Sequence, residues 1–183
     1  MNNRESAGAA AARRSRRHAT LEDAIELAVR AHRGATDKAG APYILHVLRV
    51  MLAVEGDVAR MAAALHDVVE DTSYTPDDLR RLGFPVEVVD AVDALTRRPG
   101  ELYEDFVRRA AAHPIARQIK LADLEDNMDI RRLPHLREAD LERLARYRAA
   151  WEILASAKPA DHSSPAPASL SSPPRQRGKR IRQ

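Results

Sequence analysis

Met61-Ala-Ala-Ala-Leu65-His66-Asp67-Val-Val-Glu70-Asp71-Thr72 is the stretch on which the reading of this chain turns. Its first half is small and apolar, as a buried helix is. Four polar residues follow: His66, Asp67, Glu70 and Asp71. Read as one helix beginning near Asp57, the segment stacks His66 beneath Glu70 and Asp67 beneath Asp71, because residues four apart share a face. Burying unpaired carboxylates costs several kcal/mol, so an imidazole and three acids on a core-like segment call for a cation among them. A metal ion is the simplest such cation. The alternative is an exposed helix end where these groups are merely solvated.

Composition bounds what surrounds that segment. The 183 residues suit one domain with tails, and 44% hydrophobic residues suffice for a core. Aromatics are only 4%, so Leu, Val, Ile and Ala must fill it. The absence of cysteine excludes disulfides and thiolate metal sites. No apolar run approaches the roughly 18 residues of a membrane span, and residues 1–19 hold no hydrophobic signal core, so a cytoplasmic protein without membrane contact is expected. The net charge of +3 conceals a division. Residues 1–19 carry +4 and residues 156–183 carry +5, which leaves −6 on residues 20–155. The basic character belongs to the tails, and a folded nucleic-acid-binding surface is not indicated.

Taken in order, the chain reads as helices separated by turn signals. Residues 1–19, rich in Ala, Arg and Ser, are expected to be disordered. Thr20 is an N-cap, with Asp23 in an acidic first turn. The helix it opens places Leu21, Ala24, Ile25, Ala28 and Val29 on one face and ends by Gly34. Pro42 begins a second helix that carries His46 among apolar neighbours and stops near Gly56. Alone, His46 reads more readily as a core histidine than as a ligand. After the quoted stretch, Thr75-Pro76-Asp77-Asp78 caps a short helix ending at Gly83. Pro85 opens another. Glu101–Ala112 is amphipathic, with Leu102, Tyr103, Phe106, Val107 and Ala110 facing inward. The helix from Pro114 buries Ile115, Ile119, Ala122 and Leu124, and sets Asp123 and Asn127 on one face at i, i+4. A last helix, about Glu138–Leu154, carries Leu141, Leu144, Tyr147, Trp151 and Leu154. Residues 156–183 hold five of the eleven prolines and are expected to be a disordered tail. About eight helices and no alternating strand pattern give an all-α globule over residues 20–155.

Pro42-Tyr-Ile-Leu-His46, then His66-Asp-Val-Val-Glu-Asp-Thr72, then Lys120-Leu-Ala-Asp-Leu-Glu-Asp-Asn127, in this order and spacing, resemble the HD-domain phosphohydrolases. Within these, the chain resembles the hydrolase domain of the RelA/SpoT alarmone enzymes and the stand-alone small alarmone hydrolases. The likeness covers roughly residues 20–155, and no synthetase domain follows it in the sequence, so a hydrolase alone is expected. Carried over by position, the resemblance implies His46, His66, Asp67 and Asp123 as metal ligands. It implies Glu70 and Asp71 as the acid pair that acts on the reacting phosphate and its water. It implies Lys38, Asn127 and Tyr147 as nucleotide contacts, although Asn127 also suits a helix C-cap and Tyr147 a core edge.

The activity implied is removal of the 3′-pyrophosphate of ppGpp or pppGpp, with a single divalent ion. Two imidazoles and two carboxylates suit Mn²⁺, Fe²⁺ or Zn²⁺, and the resemblance favours Mn²⁺. The chain departs from the family at base-recognition positions. Asp37 stands where an Arg packs on guanine, and Ile130 where a threonine is usual; Val47 follows the metal His where a proline is usual. An HD hydrolase of another 3′-phosphorylated nucleotide, such as an NADPH-like dinucleotide or an adenine alarmone, is therefore the alternative. A non-catalytic metal-containing nucleotide sensor is a second. A homo-oligomer is open, since no sequence feature decides it.

Overall fold

The computed structural model describes residues 18–157. Both expected tails lie outside the described residues, apart from residues 18, 19, 156 and 157. Within these limits the chain is all-α, with no strand beyond an isolated antiparallel bridge between Thr36 and Pro42. Nine α-helices are described: α1 (Leu21–Ala31), α2 (Ile44–Leu52), α3 (Asp57–Ala64), α4 (Val68–Asp71), α5 (Pro76–Arg81), α6 (Val86–Leu95), α7 (Tyr103–Ala112), α8 (Pro114–Asn127) and α9 (Glu138–Ser156). A 3-10 turn, Ile130–Arg132, lies between α8 and α9.

The capping chemistry read from the sequence is present. Thr20 and Thr75 each close a capping box with an aspartate three residues on, and Pro76 and Pro114 sit in the first turns of their helices. Gly83, at φ +90°, ends α5: its amide donates to the Arg80 carbonyl and that of Phe84 to the Leu79 carbonyl. This pairing requires the left-handed conformation that glycine adopts without steric cost.

Helix α3 is the centre of the molecule, packed against α1, α2, α6 and α8. Its buried residues are Ala59, Met61, Ala62, Ala63 and Ala64. Small side chains let four helices approach one short helix closely, and the larger Leu and Val residues come from the surrounding elements. The main core draws on α1 to α6 and on Ala116, Ile119 and Ala122 of α8. A second cluster of Phe106, Val107, Leu124, Ala150 and Leu154 joins α7, α8 and α9. Helix α8 therefore divides the two, with Asp123 between its two apolar sides.

Several expected faces are rotated or shortened. On α1, Leu27 is buried with Ala24 and Ala28, while Val29 is exposed. The chain is tied down one residue earlier than expected: Ala19 is buried, and its amide donates to the Gly83 carbonyl. Helix α7 starts at Tyr103, so Leu102 precedes it and is 69% exposed. On α9 only Ala150 and Leu154 are buried, and Leu141 is 56% exposed because the first half of the helix extends past the core.

Ala62 sits where four helices converge, fully buried. Ala62→Leu should destabilise the fold by about 1–3 kcal/mol through overpacking. Urea unfolding should read this as a lowered midpoint at unchanged slope.

Candidate metal centre and its cavity

The quoted stretch is not one helix. Helix α3 ends at Ala64, and Leu65, His66 and Asp67 form a turn before the single turn of α4. The reason is a side-chain bond. His66 Nδ1 lies 2.7 Å from the Ala63 carbonyl, which a continuous helix would give to the Asp67 amide. Through the turn the backbone bonds are i→i+3, from Leu65 to Ala62 and from Val68 to Leu65. The expected stacking of His66 beneath Glu70 is thereby replaced. His66 turns into the core beside Asp67, while Glu70 and Asp71 stand on α4 at the wall of a cavity.

Four groups converge at the floor of that cavity. Helix α2 supplies His46, the α3–α4 turn His66 and Asp67, and α8 Asp123. His66 Nε2 is 3.0 Å from Asp67 Oδ2 and 3.9 Å from Asp123 Oδ1. His46 Nε2 is 3.3 Å from Asp123 Oδ1 and 3.8 Å from Asp67 Oδ2. Both rings are buried, as is Asp123. A carbonyl only accepts, so the Nδ1 of His66 carries a proton, and the buried Nε2 is the atom turned toward Asp67 and Asp123. Donors about 3–3.5 Å apart are what bonds of roughly 2.1 Å to one ion would give. The ligand atoms of His46, His66 and Asp67 lie within 4.8 Å of one another. The set fits a divalent cation.

Both acids also accept hydrogen bonds from neighbours outside the two imidazoles. The Tyr43 hydroxyl donates to Asp67 at 2.5 Å. Lys120 Nζ is 2.7 Å from Asp123 Oδ2, and the Asn127 amide donates to Asp123 Oδ1 at 2.6 Å. Burial alone would favour the neutral acids, yet the neighbouring cations hold Asp67 and Asp123 well below the usual carboxylate range. Burial likewise opposes the charge of Lys120, but Asp123 outweighs it and raises that pKa. For His66, burial is outweighed by Asp67 and Asp123, and the ring is pushed up to about 9. In the protein alone, a proton does what a cation would do.

All nine expected site residues meet here. Lys38, Asn127 and Tyr147 line the cavity of about 370 Å³ together with His46, Asp67, Glu70, Asp71 and Asp123, and His66 lies beneath it. Burial, then the charge of Asp67, raises the carboxyls of Glu70 and Asp71. Burial, then Arg143, lowers the Lys38 ammonium. Ile130 is exposed on the 3-10 turn, and among the described residues Asp129, Arg132 and Leu133 line the cavity from that segment instead. Asp37 does not present a free carboxylate: it accepts from the Ala39 and Ala41 amides and pairs with Arg132 at 2.9 Å. The sequence reading missed Tyr43, Lys120, Asp126, Arg132 and Arg143. Lys120 and Asp126 flank Asp123 at i−3 and i+3, a spacing that marks them as its neighbours on the helix.

No family model matches the chain. A GTP pyrophosphokinase of Streptomyces coelicolor is 38% identical over 139 residues, which cover 69% of this chain and 16% of that protein. A guanosine-3′,5′-bis(diphosphate) 3′-pyrophosphohydrolase of Vibrio cholerae is 34% identical over 140 residues, covering 69% of this chain and 20% of that protein. Over the matched residues the chain is a homologue of the RelA/SpoT proteins. It spans a fifth or less of the length of these relatives. A solved structure of a metazoan SpoT ortholog, described as hydrolysing ppGpp, superimposes with a TM-score of 0.63 at 23% identity, covering 77% of this chain and 88% of that one. The HD fold is shared with it.

The raised pKa of His66 has a measurable sign. Stability from its proton is fully present below the free imidazole value of 6.5 and is lost as pH rises through about 9. In chelator, the urea midpoint should therefore fall across that interval. With a divalent cation in the proton's place, the fall should be absent.

Proposed function

We propose that this chain is a divalent-metal-dependent hydrolase that removes the 3′-pyrophosphate from ppGpp and pppGpp, yielding GDP or GTP and degrading the alarmone. The observation that carries the reading is the convergence of His46, His66, Asp67 and Asp123 on one point, with Glu70 and Asp71 on the wall of the same cavity. The names of the Vibrio cholerae and other relatives agree with it. Mn²⁺ is the proposed ion, suited to a mixed imidazole and carboxylate set. The proposed setting is the cytoplasm; no helix among the described residues is long and apolar enough to cross a membrane.

Bound at the four groups, a divalent ion supplies Lewis-acid polarisation of the phosphoryl group and a water of lowered pKa. The protein's own residues do the rest. Glu70 and Asp71 orient the attacking water and take its proton, a task their raised pKa values favour over more acidic carboxyls. Lys38, Arg97 and Arg143 line the cavity as the cations that meet the substrate's phosphates. Asn127 and Tyr147 line the same cavity and are the proposed contacts of the nucleoside. Water is consumed, the 3′-hydroxyl is restored and pyrophosphate leaves.

A second reading keeps this chemistry and changes the base. Asp37 is spent on Arg132 and its own loop, so no side chain at position 37 stacks on guanine. A panel of 3′-phosphorylated guanosine and adenosine nucleotides, assayed with Mn²⁺, separates the two. Pyrophosphate release from ppGpp in preference to the adenosine compounds supports the first reading; the reverse preference supports the second.

Glu70→Gln and Asp71→Asn should each lower kcat by about 10²–10⁴-fold while leaving Mn²⁺ bound. Steady-state kinetics beside a metal titration would show this, and full activity in both variants would contradict the assigned role.

A further inference from the structure

Asp126 lies outside the four converging groups, yet it is the most heavily engaged acid near them. Its Oδ2 is 2.6 Å from His46 Nδ1. Its Oδ1 accepts from Arg49 Nε at 2.5 Å, and its Oδ2 also accepts from Arg49 and from Arg132, each at 3.1 Å. Arg132 reaches on to the Asp37 carboxylate at 2.9 Å. That carboxylate in turn accepts the amides of Ala39 and Ala41, which shape the cavity loop. One chain of charged hydrogen bonds thus runs from the loop through Asp126 to the ring of His46.

We propose that Asp126 is a positioning residue for the metal centre, fixing the tautomer and the plane of His46 so that Nε2 points at Asp67 and Asp123. The reading rests on the metal site proposed above. A carboxylate only accepts, so its bond to Nδ1 places the ring proton there and leaves the Nε2 lone pair facing the other ligands. Arg49 and Arg132 hold the carboxylate from its other sides, so it has one orientation to offer the ring. Ligating histidines are commonly oriented by such a partner, whose loss costs about 10–100-fold in metal affinity. The carboxylate is mostly buried at 11% side-chain exposure, so the bond to the ring is shielded from water. His46 itself is buried against Tyr43 and His66, with ring centroids 5.3 and 5.4 Å away. Those contacts limit the tilt of the ring, while Asp126 selects its protonation.

The test is titration of the full chain with Mn²⁺ alone, comparing wild type, Asp126→Ala, Asp126→Asn and the same changes in a His46→Ala background. Urea unfolding in chelator checks that each variant folds. Asp126→Ala should weaken Mn²⁺ binding about 10–100-fold. Asp126→Asn, which keeps an acceptor of the same size, should recover part of the loss. Neither change should weaken Mn²⁺ further once His46 is Ala. In metal-free protein, the His46 Nδ1 proton should give a downfield NMR line that Asp126→Ala abolishes. Unchanged Mn²⁺ affinity in folded Asp126→Ala overturns the proposal and leaves the metal site standing, as does an equal loss in the His46→Ala background. Failure of wild type to bind Mn²⁺ overturns the metal site itself, and this role with it.

Discussion

Two carboxylates and two imidazoles, shut between α2, the α3–α4 turn and α8, set the terms for everything around them. Asp67 and Asp123 remain charged although burial opposes it. His66 favours the charge of Asp67, and Lys120 with the two imidazoles that of Asp123, while Tyr43 and Asn127 add donated hydrogen bonds. The inner lone pairs face the Nε2 atoms of His46 and His66 across 3.0 to 3.9 Å. Removing one partner from such a cluster leaves an uncompensated charge, which is far costlier than the cluster is stabilising. The fold accordingly keeps the ligand-bearing segments on the turn that ends the central helix, α3, and on the two helices, α2 and α8, that pack against it.

Charge is sorted outward from that point. On one side, Asp126, Arg49, Arg132 and Asp37 form a closed network of ion pairs under the cavity loop. On the other, Lys38, Arg97 and Arg143 stand at the cavity with Glu70 and Asp71. An anionic nucleotide with two diphosphates meets cations at the wall and, under the proposed function, a cation at the floor. The acidic balance of residues 20–155 is thus compatible with an anionic substrate, because Asp37 and Asp126 are paired with arginines while Lys38, Arg97 and Arg143 face the cavity.

Much of this was legible in the chain. Capping boxes at Thr20 and Thr75 and the prolines at 76 and 114 marked helix starts, because their chemistry is local. Helix α8 put Asp123 and Asn127 on one face, as i, i+4 spacing demands. The break at Leu65–Asp67 was not legible, since it depends on His66 Nδ1 taking a backbone carbonyl, and the residues themselves favour helix on both sides. Asp37 was read as a lost base contact because its partner, Arg132, lies 95 residues away, beyond any spacing rule. Asp126 was passed over for the same reason, its partners His46 and Arg49 lying on another helix. Leu102 was placed inward by periodicity, which fixes a face but not where a helix begins.

The account depends on one cation seated between α2, the α3–α4 turn and α8. Anomalous diffraction at the manganese edge, from crystals of the full chain grown with Mn²⁺, measures this directly. The account predicts one peak within about 2.0–2.3 Å of His46 Nε2, His66 Nε2 and a carboxylate oxygen each of Asp67 and Asp123. A map with no peak there, or with manganese held elsewhere while these four side chains pair only with one another, would contradict it.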